Sequence, residues 1–308
     1  MKMFMRDTME LLRISRLRVT ALSSATSVLA LLPVAMFMLS DVRADDRSSS
    51  VSPGVDVTPV RSFAPTNRSL QRIAEPAPSR DSARLNEQGV KLLVTGKWNE
   101  GTARIREAVE TDGSNCAALY NLAGLLLSEG KAKEAVRVMN RAIAINPDEL
   151  SYLNRLAEAQ IADMDVEAAI GTYRKIVERD PSYEESLLRL GTLLGLQRKH
   201  EEAEAVLRRA LELQPADPKV LTGLGSILVA EEKYEEGVAI LERSAKIEKS
   251  VETSTALGVA SESVGKLDQA LAYYDEAKQL GSADPTLDNH IAALKKRVTT
   301  EAAPSTGE

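Results

Sequence analysis

The sequence predicts an all-α protein built as a solenoid of stacked helical hairpins, and three observations carry that expectation. A small residue returns every 34 positions at Gly89, Ala123, Ala157, Gly191 and Gly225, then at Gly258 after 33. A second small series follows 12 positions behind, at Gly101, Ala135, Ala169, Ala203, Gly237 and Ala270. Each period holds two apolar stripes at spacings of three and four, separated by a polar break, which is the pattern of two amphipathic helices. A unit of this kind cannot bury its apolar face alone, so successive units must stack.

Residues 1–44 precede the repeats and differ in kind. Lys2, Arg6, Arg13, Arg16 and Arg18 are followed by Ala21–Leu39, which carries no charge, and then by Val42 and Ala44 as small residues before a cut. Basic region, apolar region and small-x-small site read as a secretory signal peptide. Cleavage after Ala44 is one outcome. A retained single-pass anchor is the other, since nineteen helical residues reach about 29 Å, close to the hydrocarbon thickness of a bilayer. Both leave the basic end in the cytoplasm and export the repeats, giving a periplasmic or secreted chain or a membrane-anchored one. Residues 45–81 are rich in Ser, Pro, Asp and Arg without apolar period and read as a flexible linker.

Six units follow, over 82–115, 116–149, 150–183, 184–217, 218–250 and 251–284. In the second, Leu119, Leu122 and Leu126 form the first stripe, Gly130-Lys131 breaks it, and Ala135, Val138, Met139, Ala142 and Ile143 form the second. Pro147, Pro181 and Pro215 close units two to four, because proline stops a helix. The small residues let two antiparallel helices approach closely. Large apolar residues recur in phase and are expected to fill the space between units: Leu85, Leu119, Leu153, Leu187 and Leu221, with Ile105, Met139, Tyr173, Leu207, Leu241 and Tyr274. Residues 285–298 read as a capping helix with Leu287, Ile291 and Leu294 on one edge and Lys295, Lys296 and Arg297 in its last turn, where cations suit the helix dipole. Residues 299–308 read as a tail.

This pattern resembles the tetratricopeptide repeat (TPR) family from 82 to 284. Units two to four fit best. Unit one has Gly113 in place of the closing proline, and units five and six have Lys249 and Ser282; Ser254 and Ser261 replace apolar residues in unit six. The resemblance implies a right-handed superhelical solenoid whose first helices line a concave groove. It implies a function of binding a partner protein or peptide there.

Composition narrows the function further. The chain carries a net charge of −6, and residues beyond Ala44 carry −9. An acidic exported domain does not bind nucleic acid by charge and gains no general attraction to anionic lipid. Membrane contact is expected only through residues 21–39, if they are retained. Cys116 is the sole cysteine, so no internal disulfide forms; it reads as a packing residue. His200 and His290 are the only histidines, and neither has a neighbour in sequence that makes a triad or metal site. The chain has no phosphate-binding loop, paired cysteines or zinc-binding helix motif. The pairs Glu184-Glu185, Glu201-Glu202 and Glu235-Glu236 sit at helix starts, where charge favours the dipole. Neither catalysis nor a cofactor is expected.

The resemblance assigns groove positions by phase. They place Asn86, Tyr120, Asn121, Asn154, Arg155, Glu158 and Arg189 on the groove, a polar ladder across units one to four. Asparagines can hold a peptide backbone by donor and acceptor together, and arginine can fork onto a carboxylate. The family's carboxylate clamp for chaperone tails wants Lys, Asn, Asn, Lys and Arg. Those positions read Asn86, Val90, Asn121, Ser151 and Arg155 here, so that specific function does not carry over. Arg155 and Arg189 are expected to face solvent. The sequence thus points to a scaffold of the cell envelope that binds a partner in its groove. A self-assembling structural protein and a non-catalytic subunit of an envelope enzyme or export complex are the alternatives.

Overall fold

The computed structural model describes residues 77–301. The segment expected as signal or anchor, nearly all of the expected linker and most of the expected tail lie outside them. The described chain forms two compact bodies, the first reaching Ser186 and the second beginning at Leu187. The first holds three hairpins: α1 (Arg80–Val94) with α2 (Trp98–Thr111), α3 (Cys116–Ser128) with α4 (Ala132–Ile145), and α5 (Leu150–Ala162) with α6 (Val166–Arg179). The second is built from α7 (Glu184–Leu196), which enters it at Leu187, with α8 (His200–Leu213), α9 (Pro218–Ala230) with α10 (Tyr234–Ile247), α11 (Val251–Ser263) with α12 (Leu267–Gln279), and a last helix α13 (Pro285–Glu301). No strand occurs among the described residues. The last helix runs three residues past 298, where the sequence pattern ended it.

The phased small residues are where the helices of a hairpin touch. A Cβ added at Gly89 would stand 2.6 Å from Ile105, one at Gly191 2.5 Å from Leu207, one at Gly225 2.5 Å from Leu241, and one at Gly258 2.4 Å from the Tyr274 ring. The second series closes the same joint from the other side: a Cβ at Gly101 would meet Leu93 at 2.7 Å, and one at Gly237 would meet Val229 at 2.8 Å. So Ile105, Leu207, Leu241 and Tyr274 lie on the small residue of their own hairpin, and Leu207 and Tyr274 also reach the next unit as expected: a Cβ at Gly223 would stand 3.5 Å from Leu207, and the Tyr274 ring meets that of His290. All four are fully buried.

Each hairpin turns by one device. In the first, the Gly96 N–H donates to the Leu93 carbonyl and the Lys97 N–H to the Leu92 carbonyl, both at 2.9 Å, a Schellman closure that needs a left-handed residue between. Gly96, Gly130 and Gly265 fill that position at φ 78°, 73° and 76°. Met164, Arg198 and Glu232 fill it in the other three hairpins, at φ 66°, 61° and 63°. The second helices mostly begin at a lysine with no side-chain cap, so the glutamates in their first turns, such as Glu134 and Glu201, stand in favourably at the dipole.

Cys116 is buried, with Sγ 4.0 Å from the Ala142 carbonyl. One unit earlier Ser82 Oγ donates to the Ala108 carbonyl at 2.7 Å in the equivalent place. This is the packing role expected of the cysteine.

Candidate functional site

The first helices of the N-terminal body bring six of the seven expected groove residues together. They do so largely by hydrogen bonds from one unit to the unit before it. Asn121 Nδ2 on α3 donates to Asn86 Oδ1 on α1 at 3.0 Å. Arg155 Nη2 on α5 donates to the Tyr120 hydroxyl on α3 at 2.9 Å. The Arg155 guanidinium also lies 4.6 Å from the centre of the Tyr120 ring, and its Nη1 pairs with Glu158 at 3.0 Å. Asn154 Nδ2 donates to the other Glu158 oxygen at 3.3 Å.

Burial corrects one expectation. Arg155 does not face solvent: it is 8% exposed, because stacking on Tyr120 and pairing with Glu158 fold it down onto the helices. Its two Nη groups are engaged inside the protein, on Tyr120 and Glu158, so that fork is not presented to a partner's carboxylate. Tyr120 and Asn121 are buried beside it, while Asn86, Asn154 and Glu158 stay half-exposed. Arg189 lies on α7, half-buried, in the C-terminal body.

Two tyrosines that the repeat phase did not single out belong to the same face. Tyr152 is buried with its ring 6.0 Å from that of Tyr120. Tyr183 sits at the end of the body, where burial pushes its hydroxyl up to about 12, helped by the negative charges of Glu185, Glu158 and Glu149 and by Tyr120. The sequence signal for Tyr152 is a bulky aromatic beside a groove position; Tyr183, before a first helix, has none.

The histidines divide. His200 opens α8, half-buried, and burial lowers its pKa while nearby Glu231 opposes the shift. His290 has a partner invisible in sequence: its Nε2 lies 2.6 Å from Glu262 on α11, and Arg297 Nη1 reaches the same carboxylate at 2.9 Å. Among the described residues no three His, Cys, Asp or Glu side chains are placed to hold a metal ion. No described helix is long and apolar enough to cross a membrane.

Sequence models of the tetratricopeptide repeat match residues 86–149, 130–184 and 194–250, together just over half of the chain. The chain belongs to the tetratricopeptide repeat family. No curated protein matches the sequence closely. Solved TPR structures resemble it in fold: PilF of Pseudomonas aeruginosa is 19% identical with a TM-score of 0.57, over 69% of this chain and 97% of that one. YrrB, described as a TPR protein with an unusual peptide-binding site, is 18% identical with a TM-score of 0.50, over 61% and 97%. MamA from Desulfovibrio magneticus RS-1 is 20% identical with a TM-score of 0.50, over 54% and 95%. TPR folds are generally non-catalytic scaffolds for protein–protein interaction.

Proposed function

We propose that this TPR chain is a non-catalytic scaffold of the cell envelope that captures an extended segment of a partner protein on the first-helix face of its N-terminal body. One observation carries the binding reading. Asn154 Oδ1 is buried there with no hydrogen-bond donor, beside the half-exposed Glu158. A buried acceptor without a donor is costly, and a turn of the half-exposed Asn154 side chain would bring it to a peptide N–H laid along this face. The peptide-binding site in the description of YrrB makes a peptide a reasonable ligand class to test. The envelope reading rests on the basic and charge-free run of residues 1–44, with the repeats on the far side of the membrane.

Two measurements test these separately. Export predicts a mature N-terminus near Asp45, or a full chain held in the membrane with its repeats outside; a soluble cytoplasmic chain retaining residues 1–44 sinks it. Capture predicts that Asn154→Ala and Asn86→Ala weaken crosslinking to a partner in envelope membranes, while Asn154→Ala barely moves the melting temperature and Asn86→Ala, which also breaks the bond from Asn121, lowers it by the loss of about one hydrogen bond. Undiminished crosslinking by both variants would move the binding surface elsewhere.

A further inference from the structure

The last helix sits in the register of a repeat's first helix. Its buried residues Leu287, Ile291 and Leu294 fall where Val220, Leu224 and Ile227 fall in α9, counted in whole units. Among the described residues no second helix follows it. Ala292, which stands at the buried small-residue position, is therefore exposed. So α13 is held from one side only, against a core that includes Tyr274 and Ala277.

That seat carries a buried charge. Glu262 occupies the position held by Val229 one unit earlier and by Leu127 in unit two. Its side chain is 5% exposed. It accepts from His290 Nε2 at 2.6 Å, from Arg297 at 2.9 Å and from the Tyr274 hydroxyl at 3.2 Å. The His290 ring also meets Tyr274 edge-on at 5.4 Å. A buried carboxylate is costly unless donors and a cation meet it. Here His290 and Arg297 stand two turns apart, on the same side of α13 as its apolar residues.

We propose that the seat on α11 and α12 is a docking site for a basic amphipathic helix, and that α13 is its resident but exchangeable occupant. The occupant the seat accepts is defined by what it now holds: apolar side chains at i, i+4 and i+7, with donors to Glu262 at i+3 and i+10. A purely apolar helix would strand the carboxylate, so Glu262 selects a helix with a cation in place. The short link from Leu280 to Asp284 keeps α13 at an effective concentration on the order of millimolar. A partner helix therefore enters when it binds more tightly or when α13 is drawn away. This site is separate from the N-terminal groove and does not depend on it.

The test uses the full-length chain and a dye-labelled peptide of residues 285–301. Leu287→Asp with Ile291→Asp should undock α13 and leave the rest of the array folded. That variant should bind the peptide saturably by anisotropy, at least about tenfold more tightly than wild type does. Adding Glu262→Gln to it, or using the peptide with His290→Ala and Arg297→Ala, should weaken binding by about tenfold or more. A folded, undocked variant that ignores the peptide overturns the proposal, as does binding indifferent to Glu262→Gln. If the undocking changes unfold the array, hydrogen exchange on the wild type decides. Amides of α13 should exchange together, well ahead of α11 and α12, and faster still in Glu262→Gln. Protection of α13 equal to that of α12 overturns it.

Discussion

Arg155 donates to the Tyr120 hydroxyl 35 residues earlier and lies over the same ring, so one arginine joins two consecutive TPR units. Asn121 reaches Asn86 across the same separation. These positions stabilise the stack as well as lining its face. Tyr120→Phe deletes one hydrogen bond and should cost about 1 kcal/mol. Arg155→Ala removes both that bond and the pair with Glu158 and should cost about 2–3 kcal/mol. Arg155→Glu, which sets a second carboxylate beside Glu158, should cost more. Urea denaturation that ranks the three otherwise would show that the stitch is not formed in solution.

The turn residues give a second test with opposite signs. Glu232 is exposed and holds φ 63° in its Schellman turn. A left-handed non-glycine residue costs roughly 1–2 kcal/mol, against about 0.4–1 for glycine's extra freedom when unfolded. Glu232→Gly should therefore raise stability, by up to about 1 kcal/mol, and Gly130→Ala should lower it by a similar amount. Thermal melts read both.

The close approach within hairpins gives a third. Gly258→Ala drives a methyl to 2.4 Å from the rigid Tyr274 ring and should cost about 1–3 kcal/mol. Gly171 lies inside α6 with nothing within 4 Å of an added Cβ, so Gly171→Ala should gain about 0.5–1 kcal/mol from helix propensity. If both variants melted alike, the glycine series would not mark helix contacts.

The contrast between what was legible and what was not follows from distance along the chain. Hairpins, their limits and the contact glycines repeat at a fixed spacing, so Gly89 and Gly225 announce themselves in sequence. The left-handed turn position is legible at Gly130 but hidden at Met164, where the closing hydrogen bonds decide the conformation whatever the side chain. Groove phase located Arg155, yet its burial depends on a tyrosine in the preceding unit, and phase says nothing about which way a long side chain folds. Glu262 and His290 are 28 residues apart and outside the repeat pattern. Only the packing of α13 brings them together.

Acid should probe the ion pairs of the C-terminal body with a definite sign. Lys233 Nζ and Arg208 Nε each donate to Glu204 at 2.6 Å. The Lys233 bond foremost, then that of Arg208, holds the Glu204 carboxyl down at about 2 against burial, from an ordinary value of 4.5. Burial raises the Glu262 carboxyl, but His290, Tyr274 and Arg297 together keep it below its ordinary value. In both cases the unfolded chain takes up the proton first as pH falls. The stability these groups contribute is therefore fully present above about 4.5 and is lost as pH drops through their folded values, for Glu204 down to about 2. Glu204→Gln removes that linkage: the variant should be less stable at neutral pH and lose stability less steeply between pH 4.5 and 2 than the wild type. Urea midpoints measured across that window compare the two slopes. Parallel losses would mean that Glu204 does not bridge Lys233 and Arg208 in solution, and that acid unfolding runs through other carboxylates.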